Sequence, residues 1–202
     1  MKTKIVDKNQ IDEVASALKQ GDIVAFKTDT IWGLSCLATD KKACQKLLEV
    51  KGRENKPLII LLHSKKQLNK YAKICGELAP KIIKNLWPGP LTIIFESAYN
   101  FCSEITCNKP TIAIRIPRHK LTRQILKSVG EPIVSTSANL SGKPNLNTAQ
   151  EVYSVFKDKI SHIINSCNRN NKNSSTIISL TDNQLVVLRE GVIKKEDFNN
   201  IL

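Results

Sequence analysis

PIVSTSANLSGKP, residues 132–144, is the stretch from which the rest of the chain is read. Pro132, Ile133 and Val134 make a short apolar run that reads as a buried strand. Small hydrogen-bonding residues follow: Ser135, Thr136, Ser137, Asn139, Ser141 and Gly142. A plain turn needs one or two such groups. A strand end carrying this many points to a surface that holds polar ligands.

Working outward, a helix over 119–129 ends at Gly130, and a helix over 148–157 follows. Ile11, Val14, Ala15 and Leu18 recur at helical spacing and stop at Gly21. DIVAF (22–26) reads as a buried strand. The segment after it reads as a loop as far as Asp40, which caps a helix through Leu47 and Leu48. PLIILL (57–62), LTIIFES (91–97) and TIAIRI (111–116) read as strands, with helical stretches at 68–75 and 78–86. STIISLTDNQLVVLREG (175–191) reads as an antiparallel hairpin about Asp182-Asn183. The Asn-rich stretch 165–175 reads as a mobile loop. Helices alternating with strands, closed by a hairpin, predict one α/β domain over residues 1–202 with a mixed sheet.

No apolar run approaches the roughly 20 residues of a membrane span. The N-terminus has no apolar signal core, since Asp7 and Glu13 interrupt it. A cytoplasmic address is expected. The six cysteines form no Cys-x-x-Cys pair, and reduced, mostly buried thiols are expected rather than zinc or disulfides. The net charge of +13 favours anionic partners. It comes from 25 Lys and 6 Arg scattered along the chain, and aromatics are too few for a base-stacking platform.

The arginines carry more information. Guanidinium grips a carboxylate or phosphate through a planar fork that ammonium lacks. Arg53, Arg115 and Arg189 all fall in polar clusters beside strand ends, where Thr28–Thr30, Lys51, Lys56, Ser135–Gly142 and Ser175 also fall. In α/β sheets such ends converge on one crevice. No Walker A loop, no Gly-x-Gly-x-x-Gly, no metal-ligand cluster and no Ser–His–Asp pattern is present. Asp29 reads as a turn or cap residue rather than a metal ligand. Hydroxyls with Arg and Lys suit phosphoryl or nucleotidyl transfer, which works by positioning and charge stabilisation.

Together these clusters resemble the YrdC/TsaC family in its single-domain form. KTDTIWGLSCLATD, KGRENKPL, WPGPLTIIF, AIRIPRH, STSANLSGKP, SSTIISL and LREG match its segments in family order, from about residue 22 to 191. Lys27, Trp32 and Ser35 stand where the family usually has proline, tyrosine and glycine. The resemblance implies a twisted open α/β sheet with flanking helices and a concave basic cavity. It implies an L-threonylcarbamoyladenylate synthase, which joins L-threonine, bicarbonate or CO2 and ATP into threonylcarbamoyl-AMP and pyrophosphate. A tRNA-modifying transferase complex would use the product. By motif, Thr30, Arg115, Ser135 and Ser175 would contact L-threonine. Lys51, Arg53, Lys56, Thr111, Ser137, Asn145 and Arg189 would contact ATP, with Lys51 and Arg53 stabilising the transferring phosphoryl group. Asn139, Ser141 and Gly142 would shape the loop. Mg²⁺ would arrive with ATP, with no metal held tightly by the protein and no membrane contact. The competing readings are a non-enzymatic RNA-binding module of the same fold, with weak tRNA or RNA binding, and a paralogue with another carbamoyl or nucleotide substrate.

Overall fold

The stretch at 133–137 is a strand in the middle of one mixed, open sheet. The computed structural model describes residues 2–52, 56–165, 173–199 and 201. In chain order the strands are β1 (Lys4–Val6), β2 (Val24–Lys27), β3 (Trp32–Leu37), β4 (Ile59–Leu61), β5 (Ala72–Lys73), β6 (Leu91–Ser97), β7 (Thr111–Arg115), β8 (Ile133–Ser137), β9 (His162–Ile164), β10 (Thr176–Ser179) and β11 (Val186–Arg189). The helices are α1 (Ile11–Lys19), α2 (Lys41–Lys51), α3 (Leu68–Tyr71), α4 (Leu78–Leu86), α5 (Ser103–Thr106), α6 (Lys120–Val129) and α7 (Ala149–Phe156). The spatial order is β1-β9-β2-β3-β8-β4-β7-β6-β10-β11, with β5 paired to the end of β6. No helix among the described residues is long and apolar enough to cross a membrane.

Period-2 alternation sorts the strand residues onto two faces. Ala25, Leu34, Ile60, Ile93, Ile114 and Val134 point to one face, and α2, α4 and α7 cover it with residues such as Leu47, Ile82 and Phe156. Val24, Phe26, Leu37, Leu61 and Ile133 point to the other, under Val14 and Leu18 of α1 and Ile125 and Leu126 of α6. Each such fully buried side chain contributes roughly 1.5–3 kcal/mol, so both layers hold the sheet firmly. The second layer covers only one end of its face. Farther along, that face carries Gly33, Ser35, Thr92, Ala113, Ser135 and Ser137, which are too small or too polar to build a core.

Local signals account for the helix ends. Asp40 Oδ1 accepts from the Ala43 N–H at 3.1 Å, and Thr148 Oγ1 from the Glu151 N–H at 3.1 Å. Gly130 closes α6 at φ +79°, a left-handed conformation that glycine adopts at little cost. The hairpin about Asp182-Asn183 is antiparallel, as expected, with Ile178 opposite Val187.

Several expectations are corrected. Residues 32–37 form a central strand rather than a loop, because Leu34 and Cys36 alternate with Gly33 and Ser35 and pair on both sides. The helix expected over 68–75 stops at Tyr71, since Ala72 and Lys73 pair with Ser97 and Glu96. The short strands β1 and β9 had no readable pattern. Most of the expected 165–175 loop, 166–172, lies outside the described residues. Among the described cysteines, Cys36 and Cys44 are buried with Sγ atoms 3.9 Å apart, Cys102 and Cys107 are intermediate, and Cys75 is exposed.

Thr176 ties the C-terminal segment to the sheet. Its fully buried hydroxyl donates to Ile193 O and accepts from the Gly191 and Ile193 N–H groups, both at 3.0 Å. Valine keeps the shape and the strand propensity but leaves those donors unpaired. Thr176→Val is expected to lower the unfolding free energy by about 1–3 kcal/mol, measured by urea titration.

Candidate functional site

The part of the sheet face that α1 and α6 leave uncovered forms the floor of a cavity of about 470 Å³. Small-molecule sites span roughly 300–1,000 Å³. Ile59, Ala113 and Ile94 lie abreast on β4, β7 and β6, with Ser135 beside Ile59. The floor is therefore apolar at its centre and hydroxylated toward β8. Gly33 makes room for Ser135, because a Cβ there would sit 2.7 Å from Ser135 Oγ and 3.3 Å from Thr136 O.

The strand-end clusters do not meet at one crevice of strand ends. Leu61 is level with both Arg115, at the end of β7, and Ile133, at the start of β8. Arg115 and Ser137 therefore lie toward opposite ends of the sheet, because β4 and β8 are antiparallel. They converge on its face instead, where both line the cavity with Thr30, Ser135, Ser175 and Arg189.

The β2–β3 loop brings Thr30 to Arg115. The Thr28 N–H donates to Ile31 O at 3.1 Å, the Thr28 hydroxyl donates to the same oxygen at 2.9 Å, and the two threonine hydroxyls lie 3.0 Å apart. Arg115 Nη1 donates to Thr30 Oγ1 at 2.9 Å and Nε to Gly89 O at 3.1 Å. Its Nη2 lies 2.7 Å from Asp29 Oδ1, an ion pair between two largely buried side chains. Asp29 stands in this turn, as expected, and is also the counter-ion of Arg115. Burial pulls the Arg115 guanidinium below its ordinary value, and Asp29 opposes that shift.

Across the cavity, Ser175 Oγ shares a 2.9 Å hydrogen bond with Thr92 Oγ1, and Arg189 Nη2 donates to Ser175 O at 2.7 Å. Arg189 is also held below its usual value, first by desolvation and then by the Arg115 charge. Among the described lining residues no side chain is acidic.

Lys51 is buried at the end of α2. Its Nζ donates to Ser137 O at 2.6 Å, Ser137 Oγ at 3.3 Å and Asn139 Oδ1 at 3.2 Å. Asn139 Nδ2 donates to Leu140 O and Lys143 O, the Ser141 N–H donates to Lys51 O at 3.1 Å, and Gly142 turns at φ +76°. Asn145 lines the cavity beside this loop. Thr111 stands on the Ala113 face of β7 but outside the lining, Lys56 is exposed and also outside it, and Arg53 lies outside the described residues. The sequence did not single out Thr92 or Ile177, and it marked Trp32 only as standing in place of the family's tyrosine. Thr92 was legible as a buried hydroxyl inside an apolar strand. Trp32 Nε1 donates to Asn147 O at 2.9 Å and so ties β3 to the segment before α7. No group of three or more His, Cys, Asp or Glu among the described residues could hold a metal.

The Sua5/YciO/YrdC family model, described as telomere recombination, matches residues 16–191. The chain is 34% identical over 198 residues to a threonylcarbamoyl-AMP synthase of Pyrococcus abyssi, covering 98% of this chain and 58% of that protein. It is 36% identical over 187 residues to a putative threonylcarbamoyl-AMP synthase of Methanocaldococcus jannaschii, covering 92% of this chain and 87% of that protein. A crystal structure of P. abyssi Sua5 complexed with L-threonine superimposes with a TM-score of 0.94 at 34% identity, over 99% of this chain and 61% of that one. The chain thus spans about three-fifths of the P. abyssi protein it matches.

His119 backs the threonine loop: its Nδ1 pairs with Thr122 Oγ1 at 3.1 Å, and Thr122 donates to Lys27 O at 3.1 Å. Burial first, and then the neighbouring Lys27 charge, lower its pKa from 6.5, against the opposing pull of Asp29. The unfolded state therefore binds the extra proton first. His119 contributes stability that is present above its unfolded pKa of 6.5 and is lost as pH falls through its folded pKa. His119→Gln is expected to flatten the loss of unfolding free energy below that pH, measured by denaturant titration at several pH values.

Proposed function

The chain belongs to the Sua5/YciO/YrdC family, and on that premise we propose that it is an L-threonylcarbamoyladenylate synthase. One observation carries the reading. Two guanidinium groups, Arg115 and Arg189, and the hydroxyls of Thr30, Ser135 and Ser175 line one cavity over an apolar floor. Guanidinium suits carboxylate and phosphate, hydroxyls suit the threonine side chain, and apolar strand residues suit a base and ribose.

In the proposed reaction the neutral amine of threonine attacks CO2, derived from bicarbonate, and loses a proton to give a carbamate. A carbamate oxygen then attacks the α-phosphorus of ATP. The bond from that phosphorus to the bridging oxygen breaks, and pyrophosphate leaves. Mg²⁺ comes with ATP as part of the substrate. Arg115 faces the threonine carboxylate, with Thr30, Ser135 and Ser175 around the amino acid. Ser137, Asn145, Arg189, Thr111 and Lys56 serve the nucleotide. Arg53 supplies the fork for the transferring phosphoryl group. Lys51 acts by charge and by holding Ser137 and Asn139, the acceptors its ammonium already engages. Asn139, Ser141 and Gly142 keep the loop against the nucleotide. A tRNA-modifying transferase in the cytoplasm consumes the product. A purely RNA-binding role is not favoured, because phosphate tracking needs no buried guanidinium beside matched hydroxyls.

Pyrophosphate release is expected to require ATP, threonine and bicarbonate together. Among amino acids, threonine is expected first, serine second and valine last. Valine leaves a pocket hydroxyl unpaired at about 1–3 kcal/mol, while serine lacks one methyl, worth about 1 kcal/mol. Valine matching threonine in a coupled pyrophosphate assay would remove Thr30, Ser135 and Ser175 from the amino-acid site.

A further inference from the structure

Arg115 and Arg189 place two cations in one cavity with low-dielectric walls. Each raises the cost of charging the other, and the Arg115 charge is one of the two causes that depress Arg189. The arrangement needs a nearby anion, and Asp29 supplies it, 2.7 Å from Arg115 Nη2. Asp29 is absent from the cavity lining, whereas its neighbours Thr28 and Thr30 belong to it. It therefore reaches a bound ligand only through Arg115. With Thr30 Oγ1 at Nη1 and Gly89 O at Nε, the pair fixes the guanidinium plane from three directions.

We propose that Asp29 is a positioning residue for the amino acid: it orients the Arg115 fork and offsets its charge, so that Arg115 and Arg189 share one cavity. This rests on the proposed reaction and gives a role to a residue that the sequence reading set aside as a turn or cap residue. A preorganised fork binds a carboxylate without first losing conformational freedom. A purely structural carboxylate, once lost, would weaken both substrates alike. A positioning counter-ion would not. Its loss loosens the threonine fork and leaves the cavity one negative charge poorer, which favours the anionic nucleotide.

The test is calorimetry of threonine and of a non-hydrolysable ATP analogue on wild type, Asp29→Asn, Arg115→Gln and the double variant. Asp29→Asn is expected to weaken threonine roughly tenfold or more while the ATP analogue binds as well as before or more tightly. The double variant is expected to bind threonine no worse than Arg115→Gln alone. Should Asp29→Asn fail to fold, the comparison of Arg115→Gln with the double variant carries the test, because the double variant leaves no unpaired buried charge. Threonine affinity unchanged or improved in Asp29→Asn, equal loss for both ligands, or a further loss in the double variant would each overturn the proposal. A wild type that binds no threonine overturns the proposed function, and this inference with it. A wild type that binds while Asp29→Asn binds equally well overturns this inference alone.

Discussion

A large sheet has two faces to bury, and in this chain the helices complete only one. α2, α4 and α7 cover one side from Ala25 to Ile178, while α1 and α6 cover the other only in the band that runs from β1 across to Leu37, Ile133 and Leu61. The rest of that second face meets water or a ligand, so it cannot be built from leucine and isoleucine throughout. Gly33, Ser135, Ser137 and Ala113 follow from that constraint, and so does the cavity. The firm core on the opposite face keeps its floor rigid. Interior packing transmits displacements of a fraction of an ångström, which suits a site that works by positioning.

Polar groups over an apolar floor bring an electrostatic cost. Removing one partner of a buried ion pair typically costs about 3–5 kcal/mol, because the other charge is left without compensation. Arg115 is placed where its charge is answered on the protein side by Asp29 and its plane is fixed by Thr30 and Gly89. Lys51 follows the same pattern at the other end of the face, where Ser137 and Asn139 hold its ammonium. Each cation is tied to a loop that carries cavity-lining groups: Arg115 to the Thr28–Ile31 turn, Lys51 to the loop after β8, which carries Asn145. Cavity-lining hydroxyls and cations are thus ordered together.

Much of this was legible in the sequence, for physical reasons. The helix cap at Asp40 is local, so residue type and spacing revealed it. The Asp182-Asn183 hairpin is local too. β3 was missed because Gly33 and Ser35 look like loop residues, although Leu34 and Cys36 between them carry the strand period. Its smallness on one side is the cavity itself. β1 and β9 hold three residues each, too few for periodicity to appear. The clusters were found, but their meeting place was not: register makes β4 and β8 antiparallel and moves the site from a strand-end crevice to the sheet face. The Asp29–Arg115 pair joins residues far apart in the chain, and no local pattern announces it.

The central claim is that ligands bind on the uncovered sheet face rather than in the larger hollow of about 800 Å³ lined by Lys41, Lys73, Tyr99, Asn100 and Lys109. Ala113 sits in the middle of the floor with its side chain toward the cavity. Titrating threonine and an ATP analogue calorimetrically into Ala113→Phe and Asn100→Phe compares the two places directly. Ala113→Phe is expected to fold and to lose both ligands, while Asn100→Phe binds both like wild type. A folded Ala113→Phe that still binds both, or an Asn100→Phe that binds neither, would contradict the account.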